Sequence, residues 1–170
     1  PILELPADRT RPAAPSYEGG WEARRLASTL VTAVETLSHQ EHATVFMSLM
    51  AAFTALLARY SGRGDVLVGV PIANRNHLAS EDLIGNLVNT LPIRTDVSGD
   101  PTFRELLRSV RSTLLDAYAH QDMPFDRLVL ELQPERYASH TPLVNVLVNL
   151  LNAPMPRRRL AELAWEPFPF

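Results

Sequence analysis

The chain has 170 residues, of which 46% are hydrophobic and 21% are charged, a balance that is typical of a folded globular protein and argues against overall disorder. Its formal net charge of -3 offers no basic field that would attract nucleic acid or an anionic membrane, so we expect neither as a partner. The sequence contains no cysteine, which excludes disulfides, thiol catalysis and cysteine-ligated metal and is compatible with the cytoplasmic location that we expect.

Residues 1–20 are predicted to form an extended linker or strap. Several prolines and the pair Gly19-Gly20 lie among charged residues there, a composition that favours exposed, irregular backbone. The segment has no initiator Met, no basic stretch and no long apolar run, so it indicates neither a signal peptide nor a membrane span. We therefore expect the chain to be a piece of a longer polypeptide. A short strand is predicted from Trp21 to Leu26.

Two helices are predicted next. Ser28 offers an N-cap for the first, which is amphipathic. Its apolar residues recur at helical spacing at Leu30, Ala33, Val34 and Leu37. The second helix is expected from about Val45 to Tyr60, capped by Thr44 and ended by Ser61-Gly62. Because it is apolar on nearly every face, we expect it to be buried.

Apolar runs of β-branched residues predict the strands. The run Asp65–Val70 is almost continuously apolar, which indicates a central strand covered on both faces. A second strand is predicted over Leu87–Arg94, and Pro92 within it indicates an edge position or a bulge. Further strands are predicted over Val144–Leu151 and at Leu163–Trp165.

Two more helices are predicted between these strands. Thr102 and Glu105 have the spacing of a capping box at the start of the first. Its apolar stripe consists of Phe103, Leu106, Leu107, Val110, Leu114 and Ala117, and its other side carries Arg104, Arg108 and Arg111. Asp122 is predicted to cap the second, a short helix with Pro124 near its first turn. Helices alternating with apolar strands predict an α/β fold, a mixed sheet covered by helices.

Three ordered blocks hold the candidate functional side chains. The first is Leu83–Arg94, which places the amides of Asn86 and Asn89 where a loop enters a strand. Such amides can reach a cleft, or they can satisfy their own backbone in a turn. The second block, His120–Asp126, spans a helix stop and a helix start, and the third is Arg136–Leu143.

In this order the blocks resemble the downstream core motifs of condensation domains of nonribosomal peptide synthetases. The resemblance implies a two-lobed chloramphenicol-acetyltransferase-like α/β sandwich, of which residues 21–170 would be a partial C-terminal lobe, incomplete at both ends. It implies that the parent protein forms an amide between a carrier-bound donor acyl thioester and an acceptor aminoacyl group. It implies no directly bound cofactor, only phosphopantetheine on donor and acceptor carrier proteins. The missing N-terminal lobe and adjoining synthetase domains would be the other partners.

The chain also departs from that family. The family carries a His-His-x-x-x-Asp-Gly motif upstream of these blocks, and no adjacent His pair occurs in the 170 residues. We therefore expect no catalytic residue in this chain and no amide formation by it alone. Leu87 stands where the family commonly has Phe, and Tyr137, His140 and Thr141 replace polar residues of the third block. An epimerization or cyclization relative, another acyltransferase and a non-catalytic scaffold domain remain open.

The resemblance also assigns roles to single residues. The candidates for the substrate tunnel are Asn89, Thr90 and Asn86, and Asn89 is expected to lie nearest the chemistry. The other motif residues are expected to be structural: Gly85, Arg94, His120, Asp122, Pro124, Phe125, Arg136, Ser139 and Pro142. We expect Asn89→Ala to spare stability and Asp122→Ala to remove a helix cap. No metal site is expected, because His39 and His42 have no third ligand at helical spacing.

Overall fold

The computed structural model describes residues 3–9, 18–76, 78–80, 82–134 and 142–151. Within them the chain forms four helices, two strands and one 3-10 turn. In chain order these are α1 (Ser28–Gln40), α2 (Val45–Ser61), β1 (Asp65–Ile72), the 3-10 turn Leu78–Ser80, β2 (Asn89–Asp96), α3 (Phe103–Ala119) and α4 (Phe125–Leu132). The predicted α/β class is confirmed. The predictions at Arg136, Ser139 and Leu163–Trp165 lie outside the described residues.

Strand β1 lies between β2 and the segment 142–151, as expected for a central strand. It pairs antiparallel with β2, in a register that runs from Asp65 opposite Asp96 to Ile72 opposite Asn89. On its other side the Gly69 N–H donates to the Val146 carbonyl and the Gly69 carbonyl accepts from the Val148 N–H, each at 2.9 Å. This second pairing is a single parallel bridge, which gives the small sheet its mixed character.

The segment Val144–Leu151 is therefore not the strand that we predicted. Only one bridge, between Gly69 and Leu147, joins it to β1. Beside that bridge, the Asn145 amide donates to the Leu3 carbonyl at 2.6 Å, which holds the segment against the N-terminal residues. The polar Asn145 thus anchors the segment by its side chain.

Pro92 lies at an edge of the described sheet, as predicted. It faces Gly69, whose own N–H and carbonyl point the other way, toward Val146 and Val148. The two residues therefore form a non-hydrogen-bonded pair, and the missing N–H of proline removes no bond from the ladder.

Helix α2 has the predicted ends but not the predicted burial. The Thr44 hydroxyl accepts from the Met47 N–H at 3.2 Å, and Gly62 ends the helix with φ 68°. One face is buried through Met47, Met50, Ala51, Thr54 and Leu57. On the opposite face Leu56 and Tyr60 are 48% and 63% exposed, so the expectation of a helix buried all round is wrong.

Helix α1 differs from the prediction at its start. Its N-cap is Ala27, which has no side-chain cap, and Ser28 lies inside the first turn. Leu30 at the start of the predicted stripe is exposed, whereas near the C-terminus Ser38 is buried, with its hydroxyl 2.7 Å from that of Ser48. The helix therefore packs on α2 through its last turns. No single described helix is long and apolar enough to cross a membrane; only α1 and α2 together, bent by 104°, pass such a test of length and composition.

The predicted strand Trp21–Leu26 is also wrong. The segment is irregular and exposed, with Trp21 on the surface. Arg24 pairs with Glu22 only two residues away, at 2.7 Å. No strand lies beside this segment in the described part of the chain, so an extended conformation there would gain no backbone pairing.

Helix α3 is confirmed with its capping box, and its apolar stripe is confirmed except at Phe103, which is exposed. The Thr102 N–H donates to Glu105 Oε2 at 2.8 Å, and the Glu105 N–H donates to the Thr102 hydroxyl at 3.4 Å. The stripe residues Leu106, Leu107, Val110 and Leu114 are buried in the core against side chains of α2, β1 and β2. On the outer side, Arg104 and Arg108 both bind Glu41 in the α1–α2 connection.

Candidate functional site

The first two sequence blocks meet at one end of the sheet, where β1 ends and β2 begins. Ile72 faces Asn89 and Pro71 faces Thr90 there. The connection between α3 and α4, residues 120–124, is tied to the same place by hydrogen bonds from Asn89. We call this region the motif end of the sheet.

Asn89 is the central polar side chain of the motif end. It is only 9% exposed, and its Nδ2 donates to the carbonyls of Gln121 at 3.0 Å and Met123 at 2.8 Å. Its Oδ1 accepts from the Phe125 N–H at 2.9 Å. Both amide protons are thus used, and one oxygen lone pair is left. The structure gives Asn89 a backbone-directed role where we predicted an amide that projects toward substrate.

Asp122 does not cap α4, contrary to the prediction. The N-cap position is held by Pro124, and no side chain of that residue caps the helix. Asp122 therefore lies two residues outside the cap and is exposed, with Oδ1 3.5 Å from Asn76 Nδ2. Taking Asp122 as the cap put the helix start two residues too early.

His120 has the structural place that we predicted. It is the C-cap residue of α3, and its Nδ1 lies 2.8 Å from the Asp116 carbonyl one turn back. The side chain is exposed. A ring nitrogen bound to a carbonyl of its own helix fits a helix stop, not a base held by a neighbouring carboxylate.

The loop ahead of β2 is organised by an arginine that sequence reasoning missed. Arg75 donates to the carbonyls of Ser80, Leu83 at 2.9 Å and Gly85 at 3.2 Å. The Gly85 carbonyl is therefore one of three points at which the loop is held. The only sequence signal was a cation between a strand end and a loop of about ten residues, which is not specific.

The other two tunnel candidates differ from Asn89. Asn86 is exposed, and its Oδ1 accepts from the Val88 N–H at 3.1 Å, the local turn that was the alternative explanation for this amide. Thr90 is half-buried and lines a cleft at the motif end. Pro142 is half-buried and its carbonyl accepts from the Val144 N–H, consistent with its expected structural role.

Two clefts open at the motif end. The first has a volume of about 290 Å³ and is lined by Asn74, Val88, Asn89, Thr90, Pro124, Phe125 and Asp126. The second has about 350 Å³ and is lined by Thr44, Val45, Phe46, Val70, Pro71, Ile72, Tyr118, Asn149 and Leu150. Burial raises the pKa of the Tyr118 phenol, so this group stays neutral. Amides, hydroxyls and apolar groups dominate both linings, which suits binding and positioning.

Arg94 lies away from this site, at the other end of the sheet. Its Nε and Nη2 donate to the two carboxylate oxygens of Asp65 at 2.9 and 2.7 Å. That hydrogen bonding holds the pKa of Asp65 below its ordinary value. Five residues along a strand separate Arg94 from Asn89, about 17 Å. Its role is thus to join β1 and β2. Among the described residues no group of His, Cys, Asp and Glu side chains could hold a metal ion.

Comparison with known proteins places these features in a family. The sequence model of the condensation domain matches residues 1–164. The chain is 51% identical, over 99% of its length, to one of the linear gramicidin synthase proteins of Brevibacillus parabrevis, and it spans 2% of that protein.

Two solved structures are also similar. A four-domain nonribosomal peptide synthetase bound to AMP and glycine has a TM-score of 0.84 and 25% identity over 89% of this chain and 11% of its own. The X-domain of teicoplanin biosynthesis in its complex with OxyB has a TM-score of 0.83 and 30% identity over 91% of this chain and 35% of its own. These likenesses confirm the expected fold class of the chain, a partial lobe of the chloramphenicol-acetyltransferase-like sandwich.

Proposed function

Since the chain belongs to the condensation domain family of nonribosomal peptide synthetases, we propose that the protein carrying it forms amide bonds between carrier-bound substrates. The amine of the acceptor aminoacyl group attacks the donor thioester carbonyl. A C–N bond forms, the C–S bond breaks, and the carrier thiol leaves with a proton. The family match over residues 1–164 is the observation that carries this proposal.

Within that reaction, this chain contributes a positioning wall and no catalytic residue. Supporting this, the two clefts at the motif end are lined mainly by amides, hydroxyls and apolar groups, and Asp126 is the one carboxylate among their lining residues. The ring of His120 is bound to its own helix. Holding two tethered substrates in attack geometry can supply about 7–11 kcal/mol of the barrier, so a wall without acid or base still contributes to the rate.

The proposal includes the partners and the prosthetic group. Donor and acceptor carrier proteins deliver the substrates on phosphopantetheine arms, and the chain itself binds no dissociable cofactor. The other parts of the synthetase are the N-terminal lobe, which carries the His-His-x-x-x-Asp-Gly motif, and the adjoining synthetase domains. The whole protein acts in the cytoplasm. The multidomain synthetases among the relatives support this arrangement.

The test is amide formation by the full-length protein. Donor and acceptor carriers are loaded with aminoacyl groups, and the dipeptidyl thioester is sought by mass spectrometry. We expect product with the full-length protein and none with the 170-residue chain alone. Turnover by the chain alone would overturn the assignment of a wall role, and no amide from the full-length protein would overturn the proposed reaction. Stereochemical inversion or a heterocycle instead would indicate epimerization or cyclization.

A second candidate function is recruitment without catalysis. The observation that favours it is the likeness to the X-domain of teicoplanin biosynthesis, a structure solved in complex with OxyB. Under this alternative the chain belongs to a domain that docks another protein. The full-length protein would then form no amide and would bind its partner with unchanged affinity after the family's catalytic motif is mutated.

A further inference from the structure

We propose that Asn89 is a positioning residue, which caps α4 from β2 and thereby fixes one wall of the cleft between them. The inference rests on the proposed function only in its last step, the effect of that wall on amide formation. Asn89 then acts through the helix start, without contacting substrate.

The first step is the unsatisfied start of α4. The first N–H groups of any helix lack intrahelical partners and need a cap. In α4 the cap position is held by Pro124, which has no side-chain acceptor, and Asp122 lies too early to serve. Asn89 Oδ1 instead accepts from the N–H of the first helical residue, Phe125, at 2.9 Å. The cap thus comes from a residue 36 positions earlier in the chain.

The second step is the pair of donor bonds. Asn89 Nδ2 donates to the carbonyls of Gln121 and Met123, so the amide holds the turn that precedes Pro124 at two points. An asparagine amide can supply both of these donors and the acceptor. An aspartate of the same shape keeps the acceptor and loses both donors. At 9% exposure, bulk water cannot readily replace the lost bonds.

The third step connects this joint to the cleft. Asn89 and Thr90 from β2 line the 290 Å³ cleft together with Pro124, Phe125 and Asp126 from the start of α4. The hydrogen bond between Asn89 and the Phe125 N–H joins these two walls directly, and the other two bonds of Asn89 hold the turn that leads into α4. Losing them lets the start of α4 shift against β2, which changes the width of the cleft, while Asn89→Asp leaves a side chain of the same shape in its lining.

The test is hydrogen–deuterium exchange with mass spectrometry on the full-length protein carrying Asn89→Asp. At pH 7 the new carboxylate faces the Gln121 and Met123 carbonyls, so we expect peptides covering 120–130 to exchange about tenfold faster than in the wild type. Peptides of α2 should keep their protection. Asp122→Ala is the matched control and should exchange like the wild type, because that side chain is exposed and caps nothing.

The pH dependence of exchange in Asn89→Asp distinguishes the loss of these hydrogen bonds from a general loss of packing. Burial and the two carbonyls disfavour the charged form of the introduced carboxyl, whereas the Phe125 N–H at the helix start favours it; the defect is present while the carboxyl is charged and fades as the pH falls through its pKa. Protonated, the group can donate to one carbonyl. We expect protection relative to wild type to recover as the pH is lowered, whereas Asn89→Ser, which also serves if Asn89→Asp does not fold, should show no recovery. Wild-type exchange, or acceleration independent of pH in both variants, would overturn the proposal.

The last step is measured by turnover. In the condensation assay Asn89→Asp should lower kcat on the order of 10²-fold at pH 7, the effect of displacing a wall by about 1 Å. Fast exchange with full turnover would overturn the link to the cleft. If the wild-type protein forms no amide, the proposed function fails, and the exchange data still decide the role of Asn89.

Discussion

At the scale of single residues, Gly69 is the position where the sheet has least room. A Cβ there would lie 2.5 Å from Leu147 Cδ2 and 3.1 Å from both Thr90 Cγ2 and Val144 Cγ2. We expect Gly69→Ala to lower the free energy of unfolding by about 1–3 kcal/mol through overpacking, measured by urea denaturation. Gly85→Ala, where a Cβ meets nothing within 4 Å, is the control and should stay near the wild type. Equal effects would show that crowding at Gly69 is not the cause.

Asn89 and Asp122 show where residue roles can be predicted from the sequence and where they cannot. Local rules correctly gave His120 a helix stop, and they offered the turn that Asn86 forms as the alternative to its predicted tunnel role, because both bonds lie within four residues. They failed for Asn89, whose partners lie 32 to 36 residues away, and for Asp122, whose cap depended on where Pro124 falls. The hydrogen bonds therefore predict that Asn89 matters for stability and Asp122 does not, the reverse of what we expected from the sequence.

At the scale of elements, the capping box of α3 gives a prediction that depends on pH. Thr102→Ala should lower the free energy of unfolding by about 0.5–2 kcal/mol at pH 7. Hydrogen bonds from the Thr102 side chain and backbone hold the pKa of Glu105 below its ordinary value. That contribution is therefore present above about pH 4.3, the unfolded-state value, and is lost as the pH falls through the folded-state pKa.

The gap between wild type and Thr102→Ala should accordingly narrow in acid, as followed by urea denaturation at stepwise lower pH. Ser112→Ala, an exposed site in the same helix, is the control and should show neither the loss nor the narrowing. A gap that is constant down to pH 3 would show that the carboxylate of Glu105 takes no part.

The elements that were predicted correctly are those whose caps and apolar patterns lie within or next to their own residues. Helices α2 and α3 have caps and an apolar pattern in their own residues, and β1 has a continuous apolar run. The strands predicted at Trp21–Leu26 and Val144–Leu151 failed because a strand needs a partner, and the segment near Leu147 finds one at a single residue. The sequence indicated which region forms the motif end, since the first two sequence blocks flank it. The hydrogen bonds within that region could not be predicted.

At the scale of the whole molecule, Glu41 fastens the α1–α2 connection to α3. Its side chain is 7% exposed and binds both Arg104 and Arg108, the latter at 3.0 Å, while Arg111 donates to the His42 carbonyl at 2.8 Å. We expect Glu41→Ala to lower the free energy of unfolding by about 1.5–3 kcal/mol.

The control for Glu41 is a pair exposed to solvent. Arg127 and Glu131 lie 2.7 Å apart in α4, and both side chains are more than half exposed. Glu131→Gln should therefore change the free energy of unfolding by at most about 0.5 kcal/mol. Thermal or urea unfolding measures both variants. An effect of Glu41→Ala as small as that of Glu131→Gln would show that the two arginines do not hold the helices together.

The surface of the chain predicts self-association when it is studied alone. Large apolar side chains stand exposed on the described surface, among them Trp21, Leu78, Ile84 and Leu151. The outer edge of β2 also presents backbone groups with no strand beside them in the described part of the chain. Apolar patches and open strand edges both favour contact between copies. Light scattering should therefore report a mass above that of one chain.

The double substitution Leu78→Arg and Ile84→Arg should reduce this association, because it adds charge to an apolar part of the loop that Arg75 clamps. Both side chains are exposed, so the fold itself should tolerate the change. If the double variant associates like the wild type, the open edge of β2 becomes the surface to change next. A monodisperse wild-type monomer that unfolds cooperatively would instead show that the chain is a self-sufficient domain, and its exposed apolar residues would then need no covering partner to remain in solution.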